Sequence, residues 1–409
     1  MATYLFCWEL GAGRGHVAPH LGLTRLLRDR GHEVIFAVRN LKHAETLLGR
    51  AGYRYLQAPT WVGPQAGLVG AARSYPQVLL NVGYHDVDQL VGWARAWREL
   101  FAATGADALL VDHAPTALLA ARGLDLPAAV LGNGFVVPPL RAPLPPLTGA
   151  LDGAVRDDEA RALEHVNAAA SLLAAPTLER LADLFDVEVR AVRSFPEFDH
   201  YAERDDVAYV PVAAGHGGEA PSWPGESGRP RAFAYLSAGP LLETALTVLA
   251  RRRIPTLVSG DGLPGDLVDR LAGETMRFTA TTYDLERVAR EADLVLLNAN
   301  HSTTLTLLLA GAPLLLLPQQ LEQALFAERV AALGAARVVR QPKQTAVDLA
   351  VEALLHDTGP RRAAEAFAGR HAGHDFAADE RDLVDRIERM VTHPRRAAVP
   401  TPPAGRALH

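Results

Sequence analysis

The stretch ADLVLLNANHSTTLTLLLAGAPLLLLP, residues 292–318, reads as strand, polar loop, helix and second strand. Leu294–Leu297 is an apolar run too short for a helix and suited to a strand buried on both faces. Asn298–Thr304 is a polar loop, and a helix then runs toward Gly311, where Gly311 and Pro313 end it. A second apolar run, Leu314–Leu317, follows. Strand, helix and strand in this order make a βαβ unit, so the sheet is parallel. At the helix start, Ser302 and Thr303 suit two roles. They cap the helix, or with its free N–H groups they form an anion site suited to a diphosphate. The sequence leaves both open.

Working outward, the same alternation returns on both sides. Ala232–Leu236 and Thr256–Ser259 read as strands of the same half, with helices of about 10–15 residues between them. In the first half the strands are Thr3–Trp8, His32–Val38, Ala108–Val111 and Ala128–Leu131. Its helices are Leu21–Arg30, Val87–Phe101 and Thr116–Arg122. Between Ala213 and Pro230 glycine and proline replace apolar periodicity, which marks a linker. The division expected is a first domain over 1–212, a linker over 213–230 and a second domain over 231–375. A helix over 376–393, packing back on the first domain, and a tail over 394–409 complete it. Ala364–Val391 reads as helical, with Leu383, Ile387 and Met390 on one face, and Val137–Leu147 as an irregular proline-rich surface loop. Two doubly wound α/β halves result, with ligands expected where strand C-termini face the gap between them.

Composition narrows the function. The 409 residues suit two domains, and with 49% apolar and 22% charged residues the chain buries sizeable cores. A net charge of −6 argues against a nucleic-acid binder held by a general basic field. The single cysteine, Cys7, excludes a disulfide framework and a cysteine-rich zinc site. Lysine occurs only at Lys42 and Lys343, an arginine bias that hints at a GC-rich bacterial source. The most apolar stretch, Leu305–Pro318, falls short of the ~20 residues of a membrane span. Met1–Trp8 lacks the basic leader and long apolar core of a signal peptide, so a soluble cytoplasmic protein is expected.

The loop after the first strand, Gly11-Ala12-Gly13-Arg14-Gly15-His16, carries the first chemical candidates. Its third glycine is displaced from a dinucleotide fingerprint, and the second strand ends in Arg39-Asn40 where such a site needs an acid. No Gly-Lys-Ser/Thr follows, so a phosphate-cradling P-loop also fails. His16 either caps the following helix or acts as a general base near neutral pH. His16 and His20, four residues apart, raise a metal site, but no further ligand cluster accompanies them. Asp112, after Ala108–Val111, emerges at the same sheet edge. It could orient His16 and stabilise its imidazolium, or cap the helix near Pro115. Asp86-Val87-Asp88 looks like a D-x-D metal signature but opens a helix, where capping is the simpler role. Trp61, Trp93 and Trp97, three of the five tryptophans, lie with Tyr75 and Tyr84 in a region that suits an apolar pocket. Trp93 and Trp97 lie four apart on one helix face, which suits core packing as well.

Several of these stretches together resemble the GT-B glycosyltransferases that use nucleotide-diphosphate sugars, of the UDP-glycosyltransferase and macrolide-glycosyltransferase kind. Gly15-His16-Val17-Ala18-Pro19 and Arg30-Gly31-His32-Glu33-Val34 resemble that family's opening G-H-x-x-P and R-G-H-E-V. Phe195–Tyr201 resembles the stretch before its linker, and Ser237-Ala238-Gly239 its S-x-G. Residues 292–323 keep the spacing of its donor motif. The likeness covers most of residues 3–335 in order.

The resemblance implies a GT-B fold, two Rossmann-like parallel-sheet domains facing a cleft. It implies an inverting, metal-independent sugar transfer from a nucleotide-diphosphate donor to a hydroxyl of a small, hydrophobic acceptor, in natural-product biosynthesis. No separate cofactor and no metal are needed. By this likeness His16 is the base and Asp112 its orienting partner. Donor contacts fall on Ser237, Gly239, Asn298, Asn300, His301, Ser302, Thr303, Thr306, Glu322 and Gln323, and acceptor contacts on Trp61, Tyr84 and Phe135. Glu322-Gln323 matches the family's acid-glutamine pair, and Thr303 matches its threonine. The chain departs elsewhere: Asn298, Ala299 and Asn300 stand for H-G-G, Ser302 for a third glycine and Thr306 for the acid that holds the ribose. An altered donor or a lost one, leaving a binding or auxiliary protein, are the two outcomes these changes permit.

Overall fold

The structure is a computed structural model that describes residues 1–60, 70–212, 217–226, 228–260 and 262–393. It divides into two compact units, Met1–Pro211 with residues 378–393, and Val212–Ala377. Among the described residues no helix is long and apolar enough to cross a membrane.

The first unit is built on a parallel sheet of β1 (Thr3–Cys7), β2 (Glu33–Val38), β3 (Arg54–Gln57), β4 (Ala108–Val111), β5 (Ala128–Gly132), β6 (Val189–Val192) and β7 (Ala208–Tyr209). Their order across the sheet is β3-β2-β1-β4-β5-β6-β7. The inner strands are apolar on both faces because helices cover both sides. The second unit repeats the plan with β8 (Ala232–Tyr235), β9 (Thr256–Ser259), β10 (Met276–Thr279), β11 (Leu294–Leu297), β12 (Leu314–Leu316) and β13 (Ala336–Val338), ordered β10-β9-β8-β11-β12-β13. Each sheet reverses its direction of growth beside its first strand, between β1 and β4 and between β8 and β11. Loops leaving the strand C-termini there splay apart and open a crevice. Register aligns the two exits: Cys7 lies opposite Val111, and Tyr235 opposite Leu297.

Three features differ from the sequence reading. The strands β3, β6, β7, β10 and β13 went unread; four are sheet edges and all are short, so they lack a sustained apolar run. The helical stretch expected over 364–391 is two helices, Gly359–His371 and Phe376–Thr392, separated by a turn at 372–375 that contains Gly373. They serve different cores. Ala364 and Phe367 are buried within the second unit, whereas Leu383, Val384, Ile387 and Met390 join the first unit's core beside Tyr4 and Phe36. Arg193 pairs with Glu380 at 2.6 Å and His32 Nε2 lies 2.8 Å from Glu388, fixing the last helix to the first unit. Residues 137–147 are irregular as expected but are not merely surface, since Val137 and Leu144 are fully buried.

Candidate functional site

The end of β1 and the end of β4 bring three side chains together. Backbone pairing carries past the strands, with Asp112 N–H donating to Cys7 O at 3.0 Å, so Asp112 leaves β4 facing the loop that follows β1. That loop turns through two short 3-10 helices, Arg14–His16 and Ala18–His20, with Pro19 starting the descent into the helix Leu21–Asp29. The turns deliver both histidines to one carboxylate. His16 Nδ1 lies 2.9 Å from Asp112 Oδ1, and His20 Nε2 lies 2.7 Å from Asp112 Oδ2. All three residues are buried.

Protonation follows from the geometry. Burial pushes the Asp112 carboxyl up, but His16 and His20 outweigh it and hold the group below the ordinary carboxylate range. An ionised carboxylate only accepts hydrogen bonds, so both imidazoles donate to it. His16 therefore carries its proton on Nδ1, and Nε2 holds the lone pair. The His16 ring stacks on Trp8 at 5.2 Å between centroids and 19° between planes, and the Trp8 indole N–H is tied to Leu10 O at 2.6 Å. Asp112 does not cap the helix Pro115–Ala121: the N-cap residue is Ala114, and both carboxylate oxygens face the histidines.

Gly11 sets the space in front of His16. A Cβ there would stand 2.2 Å from His16 Nε2, and its φ of +84° lies in the region that favours glycine. The Arg39 guanidinium donates to Gly11 O, so the arginine at the end of β2 fastens this loop.

Two buried groups beside the cluster were not singled out from sequence. Glu9 accepts from Thr116 N at 2.6 Å and from the Trp97 indole N–H at 2.7 Å. Burial raises its pKa to about 7 against the pull of those donors. An acid directly after the apolar run of β1 was the available signal. His113, held at a φ of +48°, has no hydrogen-bond partner among the described residues at either ring nitrogen, and its ring centroid lies 5.9 Å from that of His16. Burial first, then His16, push its pKa down to about 3, so this imidazole is neutral.

Of the aromatic candidates, Trp61 lies outside the described residues. Tyr84 is 1% exposed with its hydroxyl 3.0 Å from Thr116 Oγ1, which makes it a core residue rather than a ligand surface. Phe135 is buried among Tyr75, His113 and His200, with its ring centroid 6.0 Å from that of His113. Trp97 is buried against Glu9, and Asp86 caps its helix by accepting from Gln89 N.

In the second unit the candidates cluster at the matching exit. Asn298, after β11, is 1% exposed; its Oδ1 accepts from Ser237 N at 2.7 Å and its Nδ2 donates to Leu317 O at 2.8 Å. Both amide atoms are thus spent tying the loops after β8, β11 and β12, and Asn298 is a staple, not a ligand contact. Thr306 is likewise turned inward, its hydroxyl donating to Ser302 O at 2.9 Å within the helix His301–Leu309. Asn300 is the N-cap of that helix but makes no side-chain cap bond; its Oδ1 accepts from Gln323 Nε2 at 3.1 Å. Gln323 Oε1 accepts from Gln319 N at 2.9 Å, and Gln319 Nε2 donates to Ser237 O at 3.2 Å. A Cβ on Gly239 would meet the Gln319 amide at 2.5 Å. The helix-start residues His301, Ser302 and Thr303 are partly exposed, as is Glu322, and the His301 ring packs on Phe326 at 4.5 Å. Ala299 adopts a φ of +60° where the resembled motif has glycine. Among the described residues no group of three His, Cys, Asp or Glu side chains is arranged to hold a metal ion.

No family model matches the chain, and no curated protein matches it in sequence. Solved structures do match in shape. The chain is similar to the spinosyn rhamnosyltransferase SpnG, with a TM-score of 0.67 and 19% identity over 94% of this chain and 100% of that one. It is similar to the glycosyltransferase VinC, solved in complex with dTDP, with a TM-score of 0.66 and 15% identity over 95% and 100% of the two chains. A third likeness is to the calicheamicin glycosyltransferase CalG4, with a TM-score of 0.66 and 20% identity over 96% and 99%. The fold is GT-B, with two units each built on a Rossmann-like parallel sheet.

Proposed function

We propose that the chain is an inverting, metal-independent glycosyltransferase moving a sugar from a nucleoside-diphosphate donor to a hydroxyl of a small hydrophobic acceptor. The observation that carries this reading is the buried pair of His16 Nδ1 and Asp112 Oδ1 at 2.9 Å. A buried carboxylate that fixes the histidine tautomer leaves Nε2 as a base and stabilises the imidazolium that forms. In the proposed step the acceptor O–H proton passes to His16 Nε2 while the oxygen attacks the anomeric carbon. The bond from that carbon to the diphosphate oxygen breaks with its electron pair, and the configuration inverts. N–H groups at the start of the helix His301–Leu309, left without a side-chain cap by Asn300, suit the charge gathering on the departing diphosphate. Among the structures of similar fold, VinC and SpnG were each solved with thymidine diphosphate and SpnG also with spinosyn aglycone, which supports a nucleoside diphosphate and an aglycone-like acceptor here.

A second reading has its own observation. Asn298 and Thr306 occupy donor positions of the resembled motif and both are spent on internal hydrogen bonds. That arrangement suits a binding protein that has given up sugar transfer. One experiment separates the readings: nucleoside diphosphate release from a panel of nucleotide sugars, with a hydrophobic polyhydroxylated acceptor. Transfer with inverted configuration, reduced by about 10²–10⁴-fold in His16→Ala with donor affinity unchanged, is expected. If no nucleotide sugar stabilises the protein thermally and no diphosphate is released, the binding-protein reading stands.

A further inference from the structure

Asp112 is held by two histidines, although a base and its orienting acid require only one. His20 is as close to the carboxylate as His16 is, at 2.7 Å against 2.9 Å, and is more deeply buried. Its ring packs on Phe6 of β1 at 5.1 Å between centroids, and its Nδ1 has no hydrogen-bond partner among the described residues. A buried nitrogen without a partner is cheaper as a bare lone pair than as an N–H, which sets the tautomer with the proton on Nε2, donated to Asp112. From this geometry we infer that His20 is a positioning residue for the His16 base. It holds the second oxygen of Asp112 and draws off part of the charge that would otherwise bind the His16 proton too tightly.

The inference rests on the glycosyltransferase reading for its catalytic meaning, but its physical content does not. A carboxylate buried with one imidazole stabilises the imidazolium and raises that histidine's pKa, which moves the working range of the base upward. A second donor on the same carboxylate spreads the charge and lowers that pull. A base works best when its pKa lies near the working pH, so His20 tunes His16 toward that point. The other charged and titratable groups around the pair are Arg14 in the same turn, Glu9 after β1, Arg39 after β2, His113 beside Asp112, Tyr75 from the helix Tyr75–Leu79, and Arg193 with Glu380. Arg193 also donates to Pro19 O at 3.3 Å, next to His20. His20 is the imidazole that faces Asp112 Oδ2, so removing it takes that donor away.

The test compares His20→Leu, which removes the donor, with His20→Gln, whose Nε2 amide restores one at a similar reach. In His20→Leu the acid limb of the kcat/KM profile is expected to move upward by about 0.5–1 pH unit, with little loss above it. His20→Gln is expected to keep the limb near its original place. An unmoved limb in His20→Leu, or an equal shift in both variants, overturns the proposal. If no donor supports turnover, the glycosyltransferase reading fails by itself, and the His16 titration followed by nitrogen-15 NMR in the same variants still decides the coupling. If His20→Leu does not fold, the intact protein decides it: His20 with Nε2 protonated and Nδ1 bare is expected, and the reverse tautomer overturns the inference.

Discussion

At the reversal point of the first sheet the residue after the strand is Asp112, and at the reversal point of the second it is Asn298. The two positions match in topology: each follows the strand beside the first strand of its sheet, and each is buried to within 3% of full enclosure. The partners differ in kind. Asp112 faces the rings of His16 and His20, groups that exchange protons. Asn298 faces a backbone N–H and a backbone carbonyl, groups that do not. A doubly wound sheet fixes where these side chains emerge; their one-atom difference decides whether the place meets proton-exchanging rings or ties loops together.

Exchanging the two residues' chemistry is the strongest way to break this comparison. In Asp112→Asn the amide presents N–H to one of the histidines, which must then turn a bare nitrogen toward it. Where that histidine is His16, its proton moves to Nε2 and the proposed base is lost, so turnover is expected to fall by about 10²–10⁴-fold in a folded protein. In Asn298→Asp the new oxygen faces Leu317 O, and a charge is enclosed without a counter-ion. A loss of about 3–5 kcal/mol in the second unit's stability is expected, read from its calorimetric transition. If Asp112→Asn unfolds the first unit while Asn298→Asp only slows turnover, the roles assigned to the two positions are exchanged.

The same contrast explains what was legible in the sequence. Strands at the centre of each sheet, such as Ala108–Val111 and Leu294–Leu297, announce themselves because both faces are apolar. Edge strands such as Arg54–Gln57 and Ala336–Val338 have one partner and polar positions, and they do not. His16 and Asp112 were readable because each follows an apolar strand, and parallel pairing brings such ends to one edge. The fate of Asn298 was not, since its partners are main-chain groups of Ser237 and Leu317, which carry no residue-type signal. His20 was visible only as a histidine four residues past His16, a spacing that suggests a shared metal; a shared carboxylate needs Asp112 placed between the rings.

Glu9 sharpens the contrast through pH. Its pKa in the folded protein is raised to about 7 by burial, against the ordinary 4.5 it regains on unfolding. Between those values the folded state binds the extra proton, so this contribution is present at low pH and fades as pH rises toward 7. Its size is about 3 kcal/mol, taking 1.36 kcal/mol per pH unit. Asp112, whose pKa is lowered, acts in the opposite sense at more acid pH. The Glu9→Gln substitution is therefore expected to destabilise the first unit more at pH 4.5 than at pH 8, by about 3 kcal/mol, while the second unit's transition stays where it was. Denaturant titrations at the two pH values check it; an equal penalty at both would place the Glu9 charge outside the folding balance.

The glycines that follow β1 and β8 give the finest comparison. Both lack a Cβ where a polar side chain stands close, His16 Nε2 at 2.2 Å from the position a Cβ would take on Gly11 and the Gln319 amide at 2.5 Å from that on Gly239. What stands in the way yields differently. His16 is pinned by the Trp8 stack and by Asp112, and Gly11 has a φ of +84°, so alanine there meets both strain and a ring that has nowhere to go. Gln319 ends in a flexible amide, and Gly239 has an extended φ of 160°, which alanine tolerates. Gly11→Ala is expected to lower turnover by about 10–100-fold, since a displacement near 1 Å is enough to misplace a reacting nitrogen. Gly239→Ala is expected to change stability by less than about 1 kcal/mol, because Gln319 swings aside and surrenders only its bond to Ser237 O. Equal effects of the two substitutions would mean that the loop after β8 is held as rigidly as the one that carries the proposed base.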